Sequence, residues 1–133
     1  METHFDNISV QVINLNCSYE KAFDNLKDPL FQKEWGVRFF KDIVEEDGAY
    51  IADTRFGKMT MRVDADEATG YIHTYMNGIR TNPSLLVRNG EDSCVYLFAL
   101  LKPAAAPAEM FLQQGVPNLK QDLQNLKNIL ESN

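Results

Sequence analysis

Cysteine is scarce in this 133-residue chain: there are two, Cys17 and Cys94, and they are far apart. Neither has a C-x-x-C neighbour or a nearby histidine, which speaks against a zinc site or a thioredoxin-like centre. Two buried thiols in a reducing compartment are the plainer expectation. Positive charge is also short, with 13 basic against 19 acidic residues and a net charge of −6. Such a balance repels phosphate backbones and anionic membranes, and no Lys/Arg cluster interleaved with aromatics appears, so nucleic acid is not expected as a partner. The first residues, METHFDNISVQV, lack a basic segment and an apolar core, and no apolar run is long enough to span a bilayer. A cytoplasmic chain without membrane insertion is expected. Missing too are a Ser-His-Asp order, G-x-S-x-G, H-E-x-x-H and a phosphate-cradling glycine motif. DADE (64–67) lacks the spacing and glycine of an EF-hand. No metal or cofactor is expected.

What is present reads as one domain, 1–133, long enough to bury a core without disulfides. ISVQVINL (8–15) alternates like a strand. Ser18 is a plausible cap for a helix that Pro29 ends, and LFQKEW makes a second short helix stopped by Gly36. From Val37 to Lys102 strands follow one another, punctuated at Asp47-Gly48, Gly57-Lys58, Thr69-Gly70, Asn77-Gly78 and Asn89-Gly90, the pattern of an antiparallel meander. Near the end Leu112, Val116, Leu119, Leu123, Leu126 and Leu130 form one apolar helical stripe, with Gly115 and Pro117 inside it. In a straight helix interior Pro117 would cost roughly 3 kcal/mol and Gly115 about 1 more. Two readings stand: a bent helix, or two helices with Pro117 in the first turn of the second. Either makes residues 110–117 the more mobile end, and the stripe is too short for a coiled coil.

Register predicts which side chains face inward. A two-residue loop at Gly57-Lys58 pairs Phe56 with Met59, Thr54 with Met61, Ala52 with Val63 and Tyr50 with Ala65, all apolar or small, while Asp53, Arg55, Thr60, Arg62 and Asp64 take the solvated face. For the next strand, a three-residue loop ending in a Gly70 bulge turns Tyr71, His73 and Tyr75 inward; a four-residue loop turns Ile72, Thr74 and Met76 inward instead. The bulge is favoured because Gly70 sits where a left-handed residue is needed.

The order of elements, together with SYEKAFDNLKDPLFQKEW after the first strand and FLQQGVPNLKQDLQNLKNILE at the end, resembles the START and polyketide cyclase (SRPBCC) superfamily. The resemblance covers essentially the whole chain in topology and implies the helix-grip α+β fold, a curved antiparallel sheet wrapped around a long C-terminal helix with two short helices after strand one. A cone-shaped fold of the nuclear-transport-factor type is the alternative, disfavoured because its main helices precede the sheet. The resemblance further implies a deep cavity between sheet and helix that takes lipids, sterols, polyketides or hormones in similar proteins, whereas a co-chaperone branch binds proteins. It supplies no universal catalytic residues.

The expected function is therefore binding of a small hydrophobic or amphipathic ligand (lipid, polyketide or aromatic metabolite), with Trp35, Thr54, Phe56, Met59, Met61, His73, Tyr75, Met110 and Val116 as candidate lining residues. Only His4 and His73 titrate near neutral pH, and His4 lies at the terminus. A cyclase- or dehydratase-like alternative uses His73 as general base and Tyr75 to stabilise an enolate; a plain structural histidine is favoured over it, because no orienting carboxylate is visible. The third class is a protein-interaction domain acting through its outer sheet face.

Overall fold

The computed structural model describes residues 7–104 and 106–132, so His4 lies outside the described residues. Strand β1 (Ile8–Leu15) leads into α1 (Tyr19–Leu26), a 3₁₀ turn (Pro29–Phe31) and α2 (Gln32–Trp35). Six strands follow: β2 (Phe40–Glu46), β3 (Ala49–Thr54), β4 (Gly57–Ala65), β5 (Tyr71–Met76), β6 (Ile79–Arg88) and β7 (Cys94–Leu101). The C-terminal helix runs as α3 (Ala108–Met110), a π-helical turn (Phe111–Gly115) and α4 (Val116–Glu131). All pairings are antiparallel, in the order β1-β7-β6-β5-β4-β3-β2. This is the helix-grip α+β architecture: a curved sheet around a long terminal helix.

Local chemistry sets the boundaries. The Ser18 hydroxyl accepts the Lys21 N–H at 3.1 Å, and the Asp28 carboxylate caps the Pro29 turn through the Leu30 N–H at 3.0 Å. Asp47-Gly48 and Asn77-Gly78 take positive φ at both positions, the geometry whose twist suits a two-residue hairpin.

The helical stripe packs as its spacing predicts. Leu119, Leu123, Leu126 and Leu130 are buried with Leu15, Tyr19, Phe23, Tyr96 and Phe98, each leucine contributing roughly 1.5–3 kcal/mol on burial. Cys17 and Cys94 lie in this same core, where burial raises the first thiol and pushes the second up to about 12. A second cluster, Ile43, Ala52, Met61 and Met76, forms under β2 to β5 without any residue of the terminal helix.

Pro117 stands in the first turn of α4, as the second reading has it, and the π turn joins α4 to α3 without an intervening loop. The Val116 N–H bonds to the Phe111 carbonyl five residues back. The wider π turn shifts the backbone just where a proline ring would strike the carbonyl of Gln113. Thus the helix continues past a residue that an unmodified α-helix would not tolerate.

Two register expectations are corrected. The β3-β4 turn is at Arg55-Phe56, so Thr54 pairs with Gly57, Ala52 with Met59 and Tyr50 with Met61. The Thr54 hydroxyl fixes it, accepting the Phe56 N–H at 3.0 Å and donating to the Gly57 carbonyl at 2.7 Å. The slip is an even number of residues, so the same side chains still face inward. At the next turn the Asp66 carboxylate accepts from the N–H and hydroxyl of Thr69, and the Asp66 N–H bonds to Tyr71. That makes a four-residue loop. Ile72, Thr74 and Met76 point inward, while Tyr71, His73 and Tyr75 lie on the outer face opposite Asp64 and Arg62.

Gly70 (φ +86°) is pressed against β6, where an added Cβ would stand 2.1 Å from the Leu86 carbonyl oxygen. Gly78 (φ +80°) faces open space. Urea unfolding should therefore show Gly70→Ala losing at least about 2 kcal/mol and Gly78→Ala only about 1 kcal/mol, the conformational part alone.

Candidate functional site

The sheet curls away from the helix at one end, and there the inner face is not covered by leucines. A cavity of about 320 Å³ remains, walled by Trp35 from α2, Phe39 and Phe40 before and in β2, Phe56 and Met59 from the β3-β4 hairpin, Met76 and Ile79 from the β5-β6 hairpin, Phe98 and Leu100 from β7, and Met110, Phe111, Gly115 and Leu119 from the terminal helix. A bulge between the β5 and β6 registers brings Ile79 opposite Met76, on the side of the mouth.

Aromatic contacts join these walls. Trp35 meets Phe98 edge to face with centroids 5.6 Å apart, Phe39 meets Phe40 in the same way at 5.0 Å, and Phe39 meets Phe56 in a tilted contact at 6.1 Å. Polar bonds hold α2, and with it Trp35, in place: the Gln32 amide donates to the Thr74 hydroxyl at 3.0 Å, and the Asn125 amide donates to the Trp35 carbonyl at 3.2 Å. The Trp35 indole N–H is itself buried with no hydrogen-bond partner.

One ion pair belongs to this cavity. Asp122 is 4% exposed, and both of its oxygens are taken by Arg38, one by the guanidinium at 3.1 Å and one by the backbone N–H at 3.3 Å. Burial raises the Asp122 carboxyl above the usual range, and the Arg38 contacts hold it down. Arg55, an exposed residue, stands at the wall with its guanidinium 5.7 Å from the Phe56 ring centre. Among the described residues Arg55 makes no ion pair, and no cluster of three metal-ligating side chains occurs.

Of the residues nominated from sequence, Trp35, Phe56, Met59 and Met110 line this cavity. Thr54 is buried in its turn, Met61 belongs to the second core cluster, and Val116 is half-buried beside the wall. His73 and Tyr75 are elsewhere. Tyr75 carries Arg62 over its ring at 4.0 Å, and His73 stacks on Tyr71 at 4.8 Å with burial lowering its pKa. The expectation that they form polar groups inside the cavity is corrected by the four-residue loop. Sequence reading missed Phe39, Phe40, Phe98 and Phe111, and also Arg38 and Asp122. Asp122 did leave a signal: it sits three residues after Leu119 and four before Leu126, a carboxylate inside an apolar stripe.

The outer sheet face bears a row running Tyr71, Leu85, Leu97, Val12 across four strands, flanked by Val10 and Val87. Val12 is 66% exposed. No helix among the described residues is long and apolar enough to cross a membrane.

Fold and cavity together define a helix-grip α+β protein with an apolar cavity between sheet and terminal helix. No family model matches the sequence, and no curated protein does either. Solved structures do match in shape. A START superfamily protein from Mycobacterium smegmatis superposes with a TM-score of 0.71 at 16% identity, covering 94% of this chain and 97% of that one. The Zhui aromatase/cyclase from a Streptomyces species gives 0.69 at 14% identity, covering 93% of each chain. An Aha1 dimer from Colwellia psychrerythraea gives 0.67 at 16%, covering 93% and 96%. At these identities the likeness is one of fold.

The ion pair yields a signed prediction. The raised Asp122 pKa means that the ionised carboxylate weakens the folded state: its contribution is most favourable below the unfolded carboxylate pKa and is lost as pH rises through the folded one. Removing Arg38 strands that carboxylate, so Arg38→Met should cost about 2 kcal/mol at pH 7.5. At pH 4 the loss should be clearly smaller, which urea unfolding of both proteins at both pH values will read.

Proposed function

We propose that this chain binds a small amphipathic molecule in the cavity between the sheet and the terminal helix. The observation that carries the reading is the cavity itself, about 320 Å³ with aromatic and thioether walls and one ion pair whose carboxylate is buried. An apolar concavity with a few fixed polar groups is the usual composition of a small-molecule site. The expected folding of the whole chain as one domain and a cytoplasmic setting fit this reading. His73 and Tyr75, on the outer face, have no part in it.

A second reading, a protein-interaction domain, is favoured by the exposed row from Tyr71 to Val12, since contiguous apolar surface of this kind marks contact sites. Proton-nitrogen NMR titration with neutral aromatic and aliphatic compounds separates the two. Shifts should cluster on Trp35, Met59, Phe98 and residues 110–119. Met59→Trp, which fills the cavity, should weaken binding at least tenfold, and His73→Ala should leave it unchanged. Absence of shifts, or shifts confined to the outer row, overturns the cavity reading.

A further inference from the structure

The cavity has a sign. Its charged wall residues are Arg38, Arg55 and Asp122, a balance of +1 in a chain whose net charge is −6. Asp122 is not free to hold a cation, because both oxygens are already engaged by Arg38. Arg38 uses one terminal nitrogen in that bond, and its side chain is 41% exposed, which leaves further N–H groups of the fork facing outward. Arg55 has no carboxylate partner among the described residues, and its position near the Phe56 ring holds a guanidinium at the rim of an aromatic wall. No acidic side chain besides Asp122 lines the same walls.

We infer, resting on the cavity reading, that the ligand is an aromatic anion: a flat ring system between Trp35, Phe56, Phe98 and Phe111, with a carboxylate, sulfonate or phenolate held at the mouth by Arg55 and Arg38. Size agrees with shape. The volume lies at the low end of the roughly 300–1,000 Å³ range of small-molecule sites, which suits about two or three rings better than a long acyl chain. Arginine is also the side chain best fitted to this task, since its planar fork both stacks on rings and pairs with an oxyanion in two-point fashion. The attraction acts at a partly solvated rim, so it should weaken as salt rises.

Three probes separate charge from shape: 1-anilinonaphthalene-8-sulfonate, N-phenyl-1-naphthylamine, which keeps the rings and lacks the sulfonate, and decyl sulfonate, which keeps the charge and lacks the rings. Affinities are measured by calorimetry at low salt on the full chain and on its Met59→Trp and Arg55→Ala variants. The expected result is that the anilinonaphthalene sulfonate binds at least tenfold more tightly than either of the others, and that Arg55→Ala brings its ratio to the neutral dye close to one. Equal binding of the two dyes to the parent chain overturns the anion assignment and leaves the cavity reading intact. Decyl sulfonate binding as tightly as the aromatic sulfonate overturns the aromatic part. Binding that survives Met59→Trp belongs outside the cavity and overturns the assignment, and no binding by any probe overturns the cavity reading itself.

Discussion

A twisted sheet and a straight helix can stay in close contact along only part of their length, and the rest of this molecule follows from where that contact ends. Leucines at 119, 123, 126 and 130 hold one half of the terminal helix against β1, β7 and α1, in the core where the two cysteines also lie. Beyond Leu119 the helix needs a different wall. The π turn at Phe111–Gly115 lets the chain pass Pro117 without breaking, and it delivers Phe111, fully buried, to a space that the sheet has left open. The second core cluster under β2 to β5 supports the far side of that space without touching the helix.

Around the opening, apolar and charged groups have different tasks. Aromatic rings from five separate segments make the walls, so the shape of the cavity depends on the whole fold and not on one loop. The Arg38–Asp122 pair ties the loop between α2 and β2 to the terminal helix across the same space. A pair with a buried carboxylate and a half-exposed guanidinium is a poor source of stability, since desolvation of the carboxylate offsets much of the attraction. Its effect is to fix where one guanidinium stands. With Arg55 at the rim, the result is a locally positive mouth on an acidic protein, a contrast that concentrates anions where the rings begin.

The sequence made the architecture readable and the pocket only partly so. Alternation and turn residues place the strands, and inward parity in β3 and β4 survives even though the hairpin is offset from the Gly57-Lys58 turn, because the offset is even. The same arithmetic works against β5. There one additional loop residue, held by the Asp66 side chain, reverses the faces and carries His73 and Tyr75 to the outside. Phe39, Phe40, Phe98 and Phe111 come together from distant segments with no shared spacing, so no local pattern marks them as neighbours. Asp122 was missed although it stands as a carboxylate within an apolar stripe, and its partner Arg38 lies 84 residues away, so only the fold joins them.

The central claim is physical: helix and sheet part company at one end and leave an accessible apolar space. A crystal structure of the chain under xenon pressure tests it without any assumption about the ligand, since xenon enters apolar cavities that water does not fill. Xenon density between Phe98, Phe111 and Met59 is the predicted result. No xenon there, with those side chains in mutual contact, would mean a filled core and would contradict the account.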